Sequence, residues 1–207
     1  MQKVKEKKER ALGVHLHLKG IRCASPKCAL TRRPYPPGMH GKKKKFKSVS
    51  EYGQQLNEKQ KLKLYYNINE RTLRHLFKKA QKSKGSIAVK LLELLEKRLS
   101  NVIFLAGFCL SRATERNMLR DRHILVNNKK VNIGGYEVKI GDVISLDEKI
   151  KKTPLFEKIV ENLKNYNPPK WLEVDKNNFI CKVIDNPEIN FESLPFKIEP
   201  IIDLFSR

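Results

Sequence analysis

Four prolines and four glycines punctuate the first 47 residues and forbid a long helix there. Pro26, Pro34, Pro36 and Pro37 remove backbone donors, while Gly13, Gly20, Gly38 and Gly41 free the backbone. The first 50 residues also hold 15 Lys or Arg against 2 Asp or Glu, a net charge of +13. A segment so charged and so broken cannot make its own core; it stays extended in isolation and orders on an anionic partner. Residues 1–47 therefore read as a basic extended arm. Tyr35, Met39, His40 and Phe46 lie among its cations, and stacking groups between positive charges suit RNA better than water.

The charge falls steadily along the chain. Residues 51–100 carry a net +7, residues 101–150 a net +2, and residues 151–207 balance at zero, within a formal total of +22. A surface built only for solubility mixes its signs, whereas a charge gathered at one end is an electrostatic footprint for a polyanion. No apolar stretch is long enough to cross a bilayer, the charged start does not read as a secretory signal, and a membrane partner is not expected. Four scattered cysteines, at 23, 28, 109 and 181, make no disulfide framework and point to a reducing compartment. No Gly-rich phosphate loop, HExxH or GxSxG is present, and no enzymatic activity or cofactor is expected.

Helical periodicity starts at Ser50, an N-cap, and continues through Leu56, Leu62, Leu64 and Tyr65. A second stripe (Leu73, Leu76, Phe77, Ala80) ends at Gly85, and a third runs from Ser86 to about Leu99. These stripes are core, and the opposite faces are basic. Val102 to Leu105 form an apolar helix closed by Gly107, and Ser111 caps another running to Asp121. Ile124, Val126, Val131 and Ile133 alternate around Asn127-Asn128, the signature of a hairpin. Tyr136, Val138 and Ile140 alternate again before the strand Val143 to Leu146. The expected fold class is α+β: the arm, a helical domain over 48–96 completed by the tail 197–207, and an αβ module over 97–196 whose C-terminal extension carries no motif.

The stretch from Arg98 to Leu146, with SRATERNMLRDRHILVNNKKVN and GDVISL, resembles an S-four RNA-binding domain. The arm and first long helix (LHLKGIRCASPKCALTRRPYPPGMHGKKKKFKSVSEYGQQLNEKQKLKLYY), LLELLEKRLSNVIF, PPKWLEVD and the terminal Phe205-Ser206-Arg207 resemble the small-subunit ribosomal protein S-four family over nearly the whole chain. That resemblance implies a structural ribosomal protein, in a bacterial cytoplasm or an organelle. It would bind the 5′ domain of small-subunit rRNA, nucleate assembly, neighbour ribosomal proteins S-five and S-three, and contribute to the mRNA entrance and to decoding accuracy. Two rivals carry the same module. An RNA-modifying enzyme would need a catalytic domain for which too few residues remain, and a free-standing RNA chaperone would need only the central third.

The candidate RNA contacts in the arm are Arg22, Lys27, Arg32, Arg33, His40, Lys42, Lys43, Lys44, Lys45 and Lys47. Tyr52, Lys59, Lys63, Arg71 and Arg74 follow in the helical domain, then Arg98, Arg112, Arg116, Arg120, His123 and Lys130 in the αβ module. Arg112 and Arg116 are one helical turn apart, so both can meet the same backbone. Of these, His123 reads more as support for the strand entry. The family resembled binds zinc through four cysteines in many members, and here the two upstream positions fall near Glu6 and Glu9. Cys23 and Cys28 alone cannot close a tetrahedral site; only His15 and His17 could complete one, and the expectation is no metal. Arg122 and Asn128 stand where the family has Gly, and Gly134-Gly135 where it has Pro-Ser.

Overall fold

The computed structural model describes residues 6–42, 49–164 and 166–206. They form two compact units, one running to Leu91 and resuming at Asn190, the other spanning Leu92–Ile189.

In the first unit the described residues of the arm do not run extended as expected but coil into three short helices, α1 (Glu6–Leu12), α2 (Ile21–Ala24) and α3 (Ala29–Arg32). None exceeds seven residues, as the Pro and Gly spacing requires. Its anchor is Glu9, buried although acidic, whose Oε1 accepts the Leu16 N–H at 3.0 Å and the Leu18 N–H at 3.4 Å. Leu16 and Leu18 are thereby turned inward, and both are buried. Two longer helices follow, α4 (Glu51–Tyr65) and α5 (Glu70–Gln81). Ser50 caps α4 by accepting the Gly53 N–H at 3.3 Å, and Asn69 caps α5 by accepting that of Thr72 at 2.7 Å. The stripe Leu73, Leu76, Phe77 and Ala80 is the buried face of α5. The tail returns to pack α10 (Glu199–Ser206) along α4. Phe196 meets Tyr65 and Tyr66 edge-on at 5.8 and 6.2 Å, and the Lys197 N–H donates to Glu58 at 2.8 Å.

Helix α6 (Ile87–Glu96) ends earlier than the apolar stripe predicts, and α7 (Leu99–Leu105) follows after an extended break at Lys97 and Arg98. The break has a partner. Residues 136–138, expected as a strand of the sheet, pair with it instead: the Leu99 N–H donates to Tyr136 O at 2.8 Å and the Val138 N–H to Lys97 O at 2.9 Å. Alternation alone cannot tell these two partners apart. Gly107 (φ +78°) closes α7 in the left-handed region, and a Cβ there would stand 2.7 Å from the Tyr166 ring. Helix α8 (Arg112–Arg120) is capped by Ser111, which accepts the Thr114 N–H at 3.2 Å.

The sheet of this second unit is antiparallel, ordered β2-β1-β3-β5-β4, from β1 (Ile124–Val126), β2 (Lys129–Lys130), β3 (Val143–Leu146), β4 (Leu172–Asp175) and β5 (Ile180–Val183). Asn127 and Asn128 turn the hairpin at φ 49° and 63°, and Arg122 also sits at positive φ (57°), so each non-glycine tolerates the geometry glycine would otherwise supply. The Asn127 amide ties the turn to the next strand, donating to Asp142 at 2.9 Å and accepting the Val143 N–H at 3.0 Å. The C-terminal extension supplies α9 (Pro154–Lys164) and the strands β4 and β5, whose Leu172, Cys181 and Val183 join Trp171 in the core. The chain is thus α+β, with the sheet wider than the hairpin and third strand legible in the sequence.

Candidate nucleic-acid interface

Within the arm, internal bonds fix the backbone and leave the expected cations outside. The Arg10 guanidinium lies 5.0 Å over the Tyr35 ring and donates to the Tyr35 carbonyl at 2.9 and 3.2 Å and the Arg33 carbonyl at 3.1 Å. Lys42 approaches the same ring at 5.6 Å. On this scaffold Arg22, Lys27, Arg32, Arg33, His40 and Lys42 are all exposed. Arg22, its side chain half exposed, pairs with the largely buried Glu6 at 3.2 Å. Lys43, Lys44, Lys45 and Lys47 lie outside the described residues.

The four metal-ligand candidates do not converge. Cys23 and Cys28 are buried, with the Cys23 Sγ accepting the Lys19 N–H at 3.4 Å and the Cys28 Sγ 3.9 Å from His15 Nδ1. The His15 and His17 rings are exposed and stacked 6.0 Å apart. Among the described residues no three His, Cys, Asp or Glu side chains gather around one point, so the residues present do not fit a zinc ion. Burial pushes the Cys23 thiol up.

On the helical part, Tyr52 is 57% exposed in the first turn of α4, and Arg71 and Arg74 are exposed on α5. Lys59 and Lys63 behave differently from the expectation. Their side chains are only 12% exposed and hold Glu70 at 3.0 and 2.9 Å. Burial alone would raise Glu70, but the hydrogen bonds from Lys63 and Lys59 outweigh it and hold its carboxyl below the ordinary value. These two lysines serve the fold first.

The αβ module divides its cations in the same way. Arg112, expected on the outer face of α8, is 4% exposed: its Nη1 donates to Asn101 Oδ1 at 2.8 Å and its guanidinium covers the Phe104 ring at 4.6 Å. The expectation for Arg112 is corrected, because it opens α8 against α7 and its charge is spent inside. Arg98 is half-buried where the α6–α7 break meets Gly135, and burial lowers its pKa. Arg116 is half-buried, Arg120 is exposed beside Asp121 at 2.9 Å, and Lys130 on the hairpin is exposed beside Asp147 at 2.5 Å. His123 is half-buried at the entry to β1, where its carbonyl accepts the Asp147 N–H at 2.8 Å.

Beneath these guanidiniums lies Glu115, 3% exposed, with Oε2 lacking a hydrogen-bond partner. Burial pushes its pKa up to about 8 against the opposing pull of Arg112, Arg116 and Arg98 and a hydrogen bond to Ser100. Sequence reasoning passed over Glu115 and Arg10, and noted Glu9 only as standing near an upstream cysteine position of the family. The available signal was an acid standing alone among arginines on an otherwise basic helix.

Residues 97–144 match the profile of the S4 domain, and residues 2–96 that of the Ribosomal protein S4/S9 N-terminal domain. The fold and its cationic surfaces therefore define an S4-domain protein of ribosomal type. Relatives called small ribosomal subunit protein uS4 are 45% identical in Caldicellulosiruptor saccharolyticus and 42% in Natranaerobius thermophilus, each over 94% of this chain and 93% of the relative; the Desulforapulum autotrophicum protein is 44% identical over 93% and 91%. The chain belongs to the small ribosomal subunit protein uS4 family. Membership makes it a structural constituent of the ribosome and not an enzyme.

Proposed function

We propose that the chain binds the 5′ domain of small-subunit rRNA directly and nucleates assembly there. In the finished subunit of a bacterial cytoplasm or an organelle, it lies beside ribosomal proteins S-five and S-three and contributes to the mRNA entrance and to decoding accuracy. The observation that carries this reading is the arm: Arg22, Lys27, Arg32 and Arg33 stand outward on a backbone fixed by Glu9 and Arg10. Such a scaffold meets phosphates in a set geometry and loses less entropy on binding than a free tail. The same role is assigned to Lys42 to Lys45, Lys47, His40, Tyr52, Arg71, Arg74, Arg116, Arg120 and Lys130; Lys59, Lys63, Arg98, Arg112 and His123 support those around them.

Chemical probing of small-subunit rRNA with the purified protein tests the reading. Protection is expected to cluster in the 5′ domain. Replacing Arg22, Lys27, Arg32 and Arg33 with Ala is expected to weaken binding and to flatten log K against log salt by ~0.7–0.9 per lost phosphate contact. Absence of protection at low salt refutes it.

A further inference from the structure

One concavity of the first unit combines cations with an aromatic floor. It encloses about 650 Å³, within the roughly 300–1,000 Å³ of sites that hold small ligands, and runs along α5 to the end of α10. Arg71, Arg74, His75 and Lys78 rim it at helical spacing on the exposed side of α5, spread over ~10 Å of axis. Phe205 forms the floor, its ring 4.9 Å from that of Phe77, with Lys59 at 5.6 Å and Arg74 at 6.0 Å from its centroid. The single acid of the lining, Glu70, is already held by Lys59 and Lys63 with Arg74 at 3.6 Å. One carboxylate among three cations leaves the groove positive.

We propose that this groove takes one unpaired nucleotide of RNA, its phosphate on Arg71 and Lys78 and its base stacked at Phe205 and Arg74. The inference rests on the RNA-binding reading above and deepens it. A helix presenting only cations would suit any phosphate backbone. An aromatic floor beside a guanidinium plane adds surfaces that a base can use only when it has left its own stack. An acidic peptide would satisfy the rim but leave the floor unused.

The experiment titrates the full-length chain with a single-stranded RNA ten-mer and with a duplex of the same sequence, and maps photocrosslinks from 4-thiouridine in the single strand. Wild type is compared with Phe205→Leu and with the Arg71→Gln/Lys78→Gln double variant, whose sites are exposed on α5 and do not support the core. Phe205→Leu is expected to weaken the single strand roughly tenfold and spare the duplex. The double variant is expected to weaken both and reduce the salt slope by ~0.7–0.9, the share of one lost phosphate contact. Crosslinks are expected at the end of α10. Unchanged single-strand affinity in either variant, or crosslinks confined to the arm, overturns the assignment while the RNA-binding reading stands. Normal rRNA binding by the variants with loss of an acidic neighbour protein makes the groove a protein surface and equally overturns it. A wild-type chain that protects no rRNA removes both.

Discussion

Glu115→Gln tests whether a carboxyl buried under arginines sets the pH response of the second unit. The group has an ordinary value of 4.5 and is pushed up to about 8 in the fold, chiefly by burial. Between those values the folded state binds the proton and the unfolded chain does not, so stability must fall as pH rises through the window and level off above about 8. Each pH unit in the window removes ~1.4 kcal/mol, so moving from about pH 5.5 to about pH 7.5 removes roughly 2–3 kcal/mol, a large share of a small domain's stability. The amide occupies nearly the same volume and does not titrate, so Glu115→Gln deletes that slope. It also forfeits the attraction of Arg98, Arg112 and Arg116, which matters only where the carboxyl is ionised. Urea denaturation of both proteins, followed by circular dichroism across that range, is the assay. The variant is expected to gain on wild type steadily as pH increases. Parallel profiles, or a wild type that grows more stable toward alkaline pH, refute the reasoning.

Arg112→Ala is expected to destabilise the αβ module by about 3 kcal/mol, because it strips a buried guanidinium from Asn101 and Phe104; Arg120→Ala is expected to leave the melting temperature unchanged and to weaken rRNA binding slightly. Thermal melts beside filter binding separate the two. Glu9→Ala removes the acceptor of two buried N–H groups and is expected to cost about 1–3 kcal/mol and to expose the arm, read as accelerated limited proteolysis within its first 30 or so residues. Chelator treatment of the purified chain is expected to leave the melting curve where it is; a downward shift would mean that Cys23 and Cys28 hold a metal after all.

The readable parts of the fold were those specified locally. Ser50 and Ser111 announce their helices because the capping oxygen lies three residues from the N–H it accepts, and Asn127-Asn128 announces the hairpin because two successive positive φ values admit few residues. What stayed hidden was non-local. Tyr136 to Val138 alternate like a sheet strand, yet pair with the break between α6 and α7, which no periodicity marks. Strands β4 and β5 are four residues each, follow Pro168-Pro169, and carry Glu173, Asp175 and Lys182 outward, so their inward set is too sparse to register. The candidate site was legible as a charge gradient, but not in the division of labour among its cations. Arg112 and Arg116 share a helical face by spacing, and only the packing of α7 against the start of α8 takes Arg112 out of reach of solvent.

That division bears on what the gradient means. The net charge counts every Lys and Arg alike, but Arg10 holds two carbonyls, Lys59 and Lys63 hold Glu70, and Arg112 holds Asn101, all through bonds to groups of this chain. Their charge still contributes to the long-range field that draws RNA in, since the field falls off over a Debye length of ~8–10 Å and not at van der Waals contact. Counterion release depends instead on contacts with phosphate, which these internal cations are poorly placed to make. Association rate should therefore follow the whole basic content of the first hundred residues, whereas the salt slope at equilibrium should follow the smaller outward set. Substituting Lys59 and substituting Arg32 remove the same formal charge. Only the second should flatten the slope, and the first should appear as a loss of helical-domain stability.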